Sequence, residues 1–300
     1  MLRIEHLTKT YGGKKAVDDL SLHIRAGEIY GFIGHNGAGK TTTIKSCCGI
    51  LQFEEGEIYV DGVSIREDPI GCKRKIAYLP DNPDLYEFLS GVQYLNFIAD
   101  VYGVSKEERE RRIKEYADLF GLTEDLAQPI SAYSHGMKQK LALSCALIHR
   151  PDVLFLDEPT TGVDPVSRSE FWDMLDRLKR QGITILVSTP YMDEASRCDR
   201  IALVRSGECL SIDTPVGIRT SFDRRLYAVR CASMYKLLGD LREFPDTNSC
   251  FAFGDAHHLT LRRDGEDVMR RLQEYLKGKG YADVSIERLE PSVEDCFMAL

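Results

Sequence analysis

Residues 34–41 of this 300-residue chain read Gly-His-Asn-Gly-Ala-Gly-Lys-Thr, after the apolar stretch Ile29–Ile33 and before a stretch with helical character. The spacing is that of the GxxxxGK[ST] loop, in which glycines let the backbone wrap around phosphate and turn successive N–H groups inward. A helix that follows adds its positive N-terminal end. The order strand, loop, helix favours phosphate binding over a glycine-rich turn that binds nothing.

The loop predicts ATP and Mg²⁺ as ligands, and its residues have different expected roles. Lys40 reaches the β- and γ-phosphates, and the Thr41 hydroxyl is a ligand of Mg²⁺. The other residues expected to contact the nucleotide are Gly34, His35, Asn36, Gly37, Ala38, Gly39 and Thr42.

An acidic pair follows a second apolar stretch, Val153–Leu156. Asp157 is expected near Mg²⁺ through water, and Glu158 is expected to orient or deprotonate the attacking water. Taken alone, a strand that ends in Asp-Glu is weak evidence, because acidic residues often terminate a strand at solvent. Together with the phosphate loop, the pair predicts hydrolysis, with Lys40 and Glu158 as catalytic residues.

The hydrophobic pattern predicts an α/β fold. Four short early strands are separated by turns, and a helix capped by Ser105 and stopped by Gly121 follows them. Those early strands are predicted at Leu2–Leu7, Ala16–Ile24, Glu28–Ile33 and Glu57–Val60. Two further strands, Val153–Leu156 and Ile183–Ser188, flank a helix at Pro165–Arg180. That alternation is typical of a parallel sheet with crossover helices.

After Thr214 the pattern changes to that of a small α+β domain of about 85 residues. Its strands are predicted at Arg225–Arg230, Ser249–Gly254, Leu259–Arg262 and Asp283–Ile286, and its helices at Met234–Leu241 and Glu266–Leu276. We therefore expect a nucleotide-binding domain at residues 1–215, with a helical insertion at about 83–147, and a second domain at 216–300.

Composition excludes some classes of protein. A net charge of −8 argues against nucleic acid as a partner, since phosphate backbones require a basic field.

No stretch approaches the roughly 18 apolar residues of a membrane span, and the N-terminus has no apolar signal segment. A protein of this kind that works at a membrane needs a partner to supply the span. The nine scattered cysteines are expected to be reduced and to serve as small apolar side chains.

Over essentially its whole length the chain resembles the ATP-binding subunits of ABC transporters. The run Tyr-Ser-His-Gly-Met-Lys-Gln at residues 133–139 is similar to the LSGGQ signature of that family, with His135 in place of one glycine. The resemblance implies that Ser134 and Gly136 cap the γ-phosphate held by a second subunit, so that two ATP molecules lie in a head-to-tail homo- or heterodimer. The alternative is a surface loop with an ordinary helix cap.

The implied fold is that of P-loop NTPases of the ABC-ATPase type: a RecA-like parallel-sheet core, an antiparallel β subdomain and a helical insertion. Tyr11 stands where the family stacks an aromatic ring on adenine, although a tyrosine at the end of a strand can equally pack on the core. Asp164 stands where the family contacts the partner subunit, although Asp164 before Pro165 also suits a plain N-cap.

Two positions depart from the family pattern. Asp81 replaces the usual glutamine that touches Mg²⁺ and couples to the membrane partner, and a carboxylate can serve as metal ligand and catalytic residue there. Pro190 replaces the switch histidine and offers no donor to the γ-phosphate. We therefore expect slow hydrolysis at this chain's own site, and one strong and one weak site if the partner is a different, intact subunit.

The resemblance also implies where the protein works. The apolar segment Pro83–Leu89 stands where the family receives a cytoplasmic helix of an integral-membrane permease, although these side chains can also pack within the insertion. The ending Pro291–Leu300 resembles that of drug, lipid and polysaccharide exporters, and independently suits a final helix docked through Val293, Phe297 and Leu300. A cytoplasmic location, peripheral on the inner face of the cell membrane, follows from this resemblance.

Three functions remain open on the sequence. The first is the energising subunit of an exporter. The second is a regulatory cassette that binds ATP with little turnover, which Pro190 favours. The third is a soluble ABC ATPase acting on ribosomes or DNA, which the single cassette and the acidic balance disfavour.

Overall fold

The computed structural model describes residues 1–300, which form two compact units, Met1–Pro215 and Val216–Leu300. The first unit has ten strands: β1 (Leu2–Tyr11), β2 (Lys14–Ile24), β3 (Ile29–Ile33), β4 (Glu55–Val60), β5 (Val63–Ser64), β6 (Ile76–Leu79), β7 (Val153–Asp157), β8 (Thr184–Thr189), β9 (Arg200–Arg205) and β10 (Glu208–Asp213). Its helices are α1 (Lys40–Cys47), α2 (Pro69–Lys75), α3 (Gly91–Val101), α4 (Lys106–Phe120), α5 (His135–Leu147) and α6 (Pro165–Arg180).

The central sheet has the order β10-β9-β3-β8-β7-β6, with β10 antiparallel and the other five strands parallel. All residues of β3, β7 and β8 are buried, because both faces of this sheet are covered, and their sequences are accordingly almost continuously apolar. Ile33 pairs with Thr189 and Asp157 pairs with Ser188. The carboxyl ends of the three strands therefore meet at one edge, where ligands bind in open α/β sheets.

A second, antiparallel sheet has the order β2-β1-β4-β5. Its inward-facing residues, such as Ile4 and Leu20, share one hydrophobic core with Phe32 and Leu186 of the central sheet. Ile44 of α1 belongs to the same core. The phosphate loop is thereby fixed between two sheets that pack on each other, which makes its backbone a rigid support.

The helical region confirms some sequence predictions and corrects others. Ser105 caps α4, Gly121 ends it in the left-handed conformation, and α6 covers the predicted residues. Ser105 Oγ accepts from Glu108 N–H, but the Glu108 carboxylate binds Arg111 and Arg112 instead of the Ser105 N–H, so no reciprocal capping box forms. In this unit the sequence interpretation missed the elements α2, α3, β5, β6, β9 and β10.

The second unit contains β11 (Leu226–Arg230), β12 (Thr247–Phe253), β13 (Ala256–Leu261) and β14 (Ser285–Leu289), with helices α7 (Pro215–Thr220), α8 (Met234–Glu243), α9 (Glu266–Gly278) and α10 (Val293–Ala299). Its antiparallel sheet has the order β12-β13-β11-β14, and α8 and α9 contribute Leu237 and Leu272 to its core. The last helix buries Val293 and Phe297, but Leu300 is 52% exposed, so the predicted docking through Leu300 is wrong.

No helix in the structure combines the length and apolar character that crossing a membrane requires. Seven of the nine cysteines are buried, in agreement with their expected use as small apolar side chains.

Candidate functional site

The phosphate loop joins β3 to α1 and depends on glycine at two crowded positions. Gly39 caps α1 with φ 99°, and a Cβ there would lie 2.3 Å from the carbonyl oxygen of Ala16. A Cβ on Gly34 would lie 2.3 Å from the carbonyl oxygen of Val204. Any side chain at either position would push the loop off its neighbouring strands, so the tight turn requires both glycines.

Lys40, the first residue of α1, is only 3% exposed. Its Nζ donates to the carbonyl oxygens of Gly34 at 2.8 Å and His35 at 3.1 Å. The same atom forms an ion pair with Glu158 Oε1 at 3.0 Å. The loop thus curls around the ammonium group, and the only carboxylate it touches is the one that the sequence marks as catalytic.

Asp157 accepts hydrogen bonds on Oδ1 from Ser188 Oγ at 2.7 Å and Thr41 Oγ1 at 3.1 Å. Burial raises the pKa of the Asp157 carboxyl, and these two hydrogen bonds oppose the rise. The negative charges of Glu158 and Asp81 raise the pKa further. The Thr41 hydroxyl and the carboxylates named in the sequence therefore lie together, and burial is the main reason that the ionised form of Asp157 is disfavoured.

Glu158 occupies the left-handed region with φ 49°, which is uncommon for a residue other than glycine. Its N–H is held by Ser188, through the carbonyl oxygen at 3.1 Å and through Oγ at 3.1 Å. Such a conformation costs about 1–3 kcal/mol and persists only when its surroundings enforce it. Here the hydrogen bonds to Ser188 enforce the conformation, and the chain turns away from β7 directly after Asp157.

A cavity of about 410 Å³ opens in front of these groups. Its lining residues are Tyr11, Ala16, Asn36, Gly37, Gly39, Lys40, Thr41, Thr42, Asp81 and Glu158. Nine of these ten were predicted from motifs, and Ala16 was missed because a small residue in a strand carries no motif signal. Of the remaining loop residues, Gly34 and Ala38 are buried and His35 is exposed.

Tyr11 lies at the end of β1, on the rim of this cavity, and is 49% exposed. Its ring lies 5.1 Å from the ammonium nitrogen of Lys9. The alternative interpretation, a tyrosine packed on the core, is therefore wrong. About half of the side chain is exposed at the rim.

Ser134 and Gly136 do not line the cavity. Ser134 is exposed and caps α5 by accepting a hydrogen bond from Met137 N–H at 3.3 Å. A Cβ on Gly136 would meet no atom within 4 Å. This helix N-terminus is thus open to solvent within one chain, and the ordinary cap that the alternative interpretation required is also present.

Asp164 is the other residue for which the sequence left an ordinary N-cap open, and the structure shows that cap. Asp164 Oδ1 accepts from the N–H groups of Val166 at 3.1 Å and Ser167 at 3.0 Å, at the start of α6. Hydrogen bonds from Ser167 are the main reason that the pKa of Asp164 is lowered. A contact with a partner subunit stays a prediction.

Pro190 follows β8 directly, next to the phosphate loop. The carbonyl oxygen of the preceding Thr189 accepts from Gly34 N–H at 3.3 Å, so the end of β8 and the start of the loop are joined. Pro190 supplies neither a side-chain donor nor an N–H at this point. The next N–H, that of Tyr191, donates to Thr189 Oγ1 at 3.0 Å.

The central sheet, the loop and the acidic strand end define a P-loop nucleotide-binding protein. A family model described as ABC transporter matches residues 17–161. A probable multidrug ABC transporter ATP-binding protein of Escherichia coli is 39% identical over 215 residues, which are 72% of this chain and 37% of that protein. A doxorubicin resistance ATP-binding protein of Mycobacterium tuberculosis is 36% identical over 313 residues, covering 99% of this chain and 92% of that one.

A solved structure described as the ATP binding subunit of an ABC transporter superimposes with a TM-score of 0.68 at 33% identity, covering 74% of this chain and 93% of that one. The chain therefore belongs to the ABC transporter family, as one of its ATP-binding proteins.

Proposed function

We propose that this chain binds MgATP in the cavity around Lys40 and hydrolyses it within a head-to-tail dimer of ATP-binding subunits, to drive export through a separate integral-membrane permease. The observation that carries the proposal is the cavity itself, which is lined by the buried ammonium group of Lys40, the glycine-rich loop and two carboxylates, with the Asp157 carboxylate bonded to the lining residue Thr41. Within the chain, Met1–Pro215 would be the nucleotide-binding domain and Val216–Leu300 a separate small domain.

ATP would lie with its triphosphate over residues 34–42 and its adenine on Tyr11. The N-terminus of α1 favours negative charge at the phosphates, and Lys40 would contact the β- and γ-phosphates. The cavity of about 410 Å³ reaches from Tyr11 to Glu158, which suits a whole nucleotide rather than a single phosphate.

Mg²⁺ fits the residues that line the floor of the cavity. Mg²⁺ in phosphoryl-transfer sites keeps several waters and takes one or two protein oxygens in addition to phosphate oxygens. Thr41 supplies a hydroxyl and Asp157 a carboxylate already bonded to it, and Asp81 lies on the same cavity. When bound, Mg²⁺ would neutralise charge that develops on the phosphates.

Glu158 would orient and deprotonate the attacking water. In the nucleotide-free arrangement its carboxylate is paired with Lys40, so it becomes available only when the γ-phosphate takes over the lysine. Pro190 leaves the other side of the γ-phosphate without the donor that a histidine would supply, which supports slow turnover at this site.

The proposed dimer is supported by a helix N-terminus that is exposed to solvent in the single chain. Ser134 and Gly136 form an exposed helix N-terminus, which is an anion site without an occupant from the same chain. In the proposed dimer each such end would cap the γ-phosphate held by the other subunit, which is either a second copy of this chain or a related ATP-binding subunit.

A surface of exposed aromatic side chains supports a permease partner. Tyr86 and Phe88 stack with ring centroids 5.9 Å apart, and Phe97 lies 5.8 Å from Tyr86. Phe88 is 81% exposed, which burial within the insertion does not explain. A cavity of about 250 Å³ next to this surface, lined in part by Pro83 and Tyr94, could receive a helix end.

The direction of transport and the location rest on relatives. Several matched relatives are described as multidrug, linearmycin resistance and daunorubicin/doxorubicin resistance ATP-binding proteins. Export of drugs is the function we propose by analogy, with the chain in the cytoplasm and held at the inner face of the membrane by its permease. We propose no nucleic-acid partner, because the chain is acidic.

The test compares nucleotide binding by the wild-type chain with that of two lysine variants of α1. Lys40→Ala should weaken binding of a fluorescent ATP analogue with Mg²⁺ by about tenfold or more, which is the loss expected for a buried charged hydrogen-bond donor. Lys45→Ala removes a cation from the last turn of the same helix, outside the cavity, and should change binding less than about twofold. No binding by the wild type at millimolar nucleotide, or full binding by Lys40→Ala, would refute the proposal.

A further inference from the structure

The loop that carries Glu158 is tied to α5 by one buried side chain. Gln139 lies in the second turn of α5 and is 4% exposed. Its Nε2 donates to the carbonyl oxygen of Pro159 at 2.8 Å. Pro159 is itself buried and follows Glu158 directly. A short, buried hydrogen bond therefore joins the helix that begins at Ser134 to the backbone next to the proposed catalytic carboxylate.

The loop after Glu158 is held from two further sides. Ser188 bonds the N–H of Glu158, as described above, and Thr160 Oγ1 donates to the buried Glu194 Oε1 at 2.7 Å. These contacts anchor the loop to β8 and to the segment after it. Gln139 also ties the loop to α5, so that the helix and the loop are joined at Pro159.

From this geometry we infer that Gln139 is a positioning residue that couples the two nucleotide sites of the proposed dimer. The inference rests on the proposed function, in which the Ser134 end of α5 contacts the nucleotide of the partner while Glu158 acts on the nucleotide of its own chain. A helix moves as a rigid element, so engagement of Ser134 by the partner's nucleotide would move Gln139 and, through the Pro159 carbonyl, the backbone that sets Glu158.

Two apolar substitutions remove the donor and keep a side chain of comparable size. Gln139→Met and Gln139→Leu both leave the Pro159 carbonyl without a partner. Ser144→Ala is the matched control. Ser144 is buried in the same helix, and its Oγ donates to the Lys140 carbonyl at 2.9 Å, so the control loses a buried hydrogen bond without touching the loop.

The full-length chain is measured in two ways. Binding of a fluorescent ATP analogue should stay within about twofold of wild type in both Gln139 variants, because Gln139 does not line the cavity. The single-turnover hydrolysis rate at saturating ATP should fall about tenfold or more, the effect of a small displacement of a catalytic group. The dependence of rate on ATP concentration should also become less cooperative. Ser144→Ala should keep both rate and cooperativity.

Hydrogen exchange gives a readout that does not depend on turnover. In the wild type, MgATP should protect the amides of residues 134–139 and those of residues 158–164 together. In the Gln139 variants the first segment should still be protected while the second loses its response. Response of both segments in every variant would overturn the inference even if the rates are too slow to compare.

The outcomes separate this inference from the proposed function. Failure of the wild type to bind ATP refutes the proposed function. Normal binding with unchanged rate, cooperativity and exchange in both Gln139 variants refutes the coupling role alone. A loss in only one of Gln139→Met and Gln139→Leu, or an equal loss in Ser144→Ala, would show that packing rather than the donated hydrogen bond is responsible, and would also refute it.

Discussion

The Lys40 ammonium and the Glu158 carboxylate form an ion pair of 3.0 Å inside the nucleotide cavity. The proposed phosphate-binding cation and the proposed catalytic base therefore neutralise each other in the structure. In the proposed function, a γ-phosphate that approaches Lys40 would replace Glu158 and release its carboxylate toward water. Binding of nucleotide and activation of the base would then be one event.

Replacing Glu158 by glutamine should separate binding from hydrolysis. Glu158→Gln removes the competing charge, so the affinity for MgATP should equal or exceed that of the wild type, while single-turnover phosphate release should fall about a hundredfold or more. The measurements are titration with a fluorescent ATP analogue and a phosphate-release assay. Glu170→Gln, which changes a carboxylate of α6 outside the cavity, is the control and should leave both unchanged. A variant that hydrolyses at the wild-type rate would exclude Glu158 as the base.

Replacing Pro190 by histidine should accelerate the chain. A donor restored beside the γ-phosphate is expected to raise the hydrolysis rate by on the order of a hundredfold, by analogy with donors that stabilise other transition states. Pro190→Ala removes the ring and adds no side-chain donor, so it should stay close to the wild type. Rapid turnover by the wild-type chain, together with no gain in Pro190→His, would contradict this prediction.

Substitution of Tyr11 should affect binding rather than chemistry. Loss of a stacked aromatic ring costs about 1–3 kcal/mol per base in alanine substitutions, so Tyr11→Ala should weaken binding of MgATP by about tenfold. Tyr11→Phe keeps the ring and should bind as the wild type does. Competition by inorganic triphosphate provides a check. Because this ligand has no adenine, it should bind the wild type and both Tyr11 variants with the same affinity. Equal ATP affinity in Tyr11→Ala would remove the stacking role.

Replacing Asp157 by asparagine should stabilise the nucleotide-free chain. Burial raises the pKa of Asp157 above its ordinary value of 3.8, so the folded chain keeps a proton that the unfolded chain has released. The free energy of unfolding therefore falls as the pH rises from the pKa of Asp157 in the unfolded chain to its higher pKa in the folded chain. Asp157→Asn keeps an acceptor for Ser188 and Thr41 and carries no charge. Its melting temperature should accordingly exceed that of the wild type by a margin that is small near pH 4 and grows toward neutral pH.

The measurement for Asp157→Asn is thermal unfolding with a metal chelator across that pH range. Asp152→Asn, an exposed residue just before β7, serves as the comparison and should show no such trend. Addition of MgATP should raise the melting temperature of the wild type more than that of Asp157→Asn, since the variant lacks the carboxylate proposed to face the metal. If the difference in melting temperature between Asp157→Asn and the wild type does not change with pH, Asp157 is not a buried carboxylate that destabilises the fold when it is charged.

The parts of the site that are local in sequence were predictable. The loop at residues 34–41 is defined by glycines whose conformations are set within a few residues, and Asp157 and Glu158 follow an apolar strand directly. The helix α6 begins and ends where its Asp-Pro start and its apolar spacing indicate. The strand β10 was missed, because a short segment of mixed polarity carries no period that distinguishes it from a loop. The helix α3 and the strand β9 were also missed, although both carry apolar residues that become buried.

The sequence by itself determined the kind of protein, because phosphate binding depends on glycine conformations and on a lysine at fixed spacing, and both are properties of consecutive residues. It also determined the missing donor at Pro190, since proline lacks one in any environment. Tertiary structure alone decided that Lys40 meets Glu158, that Ser188 bonds Asp157, that Ala16 lies against the loop and that Gln139 holds Pro159. Those pairs join residues of different strands and helices, so they follow from strand order and register, which no local pattern encodes.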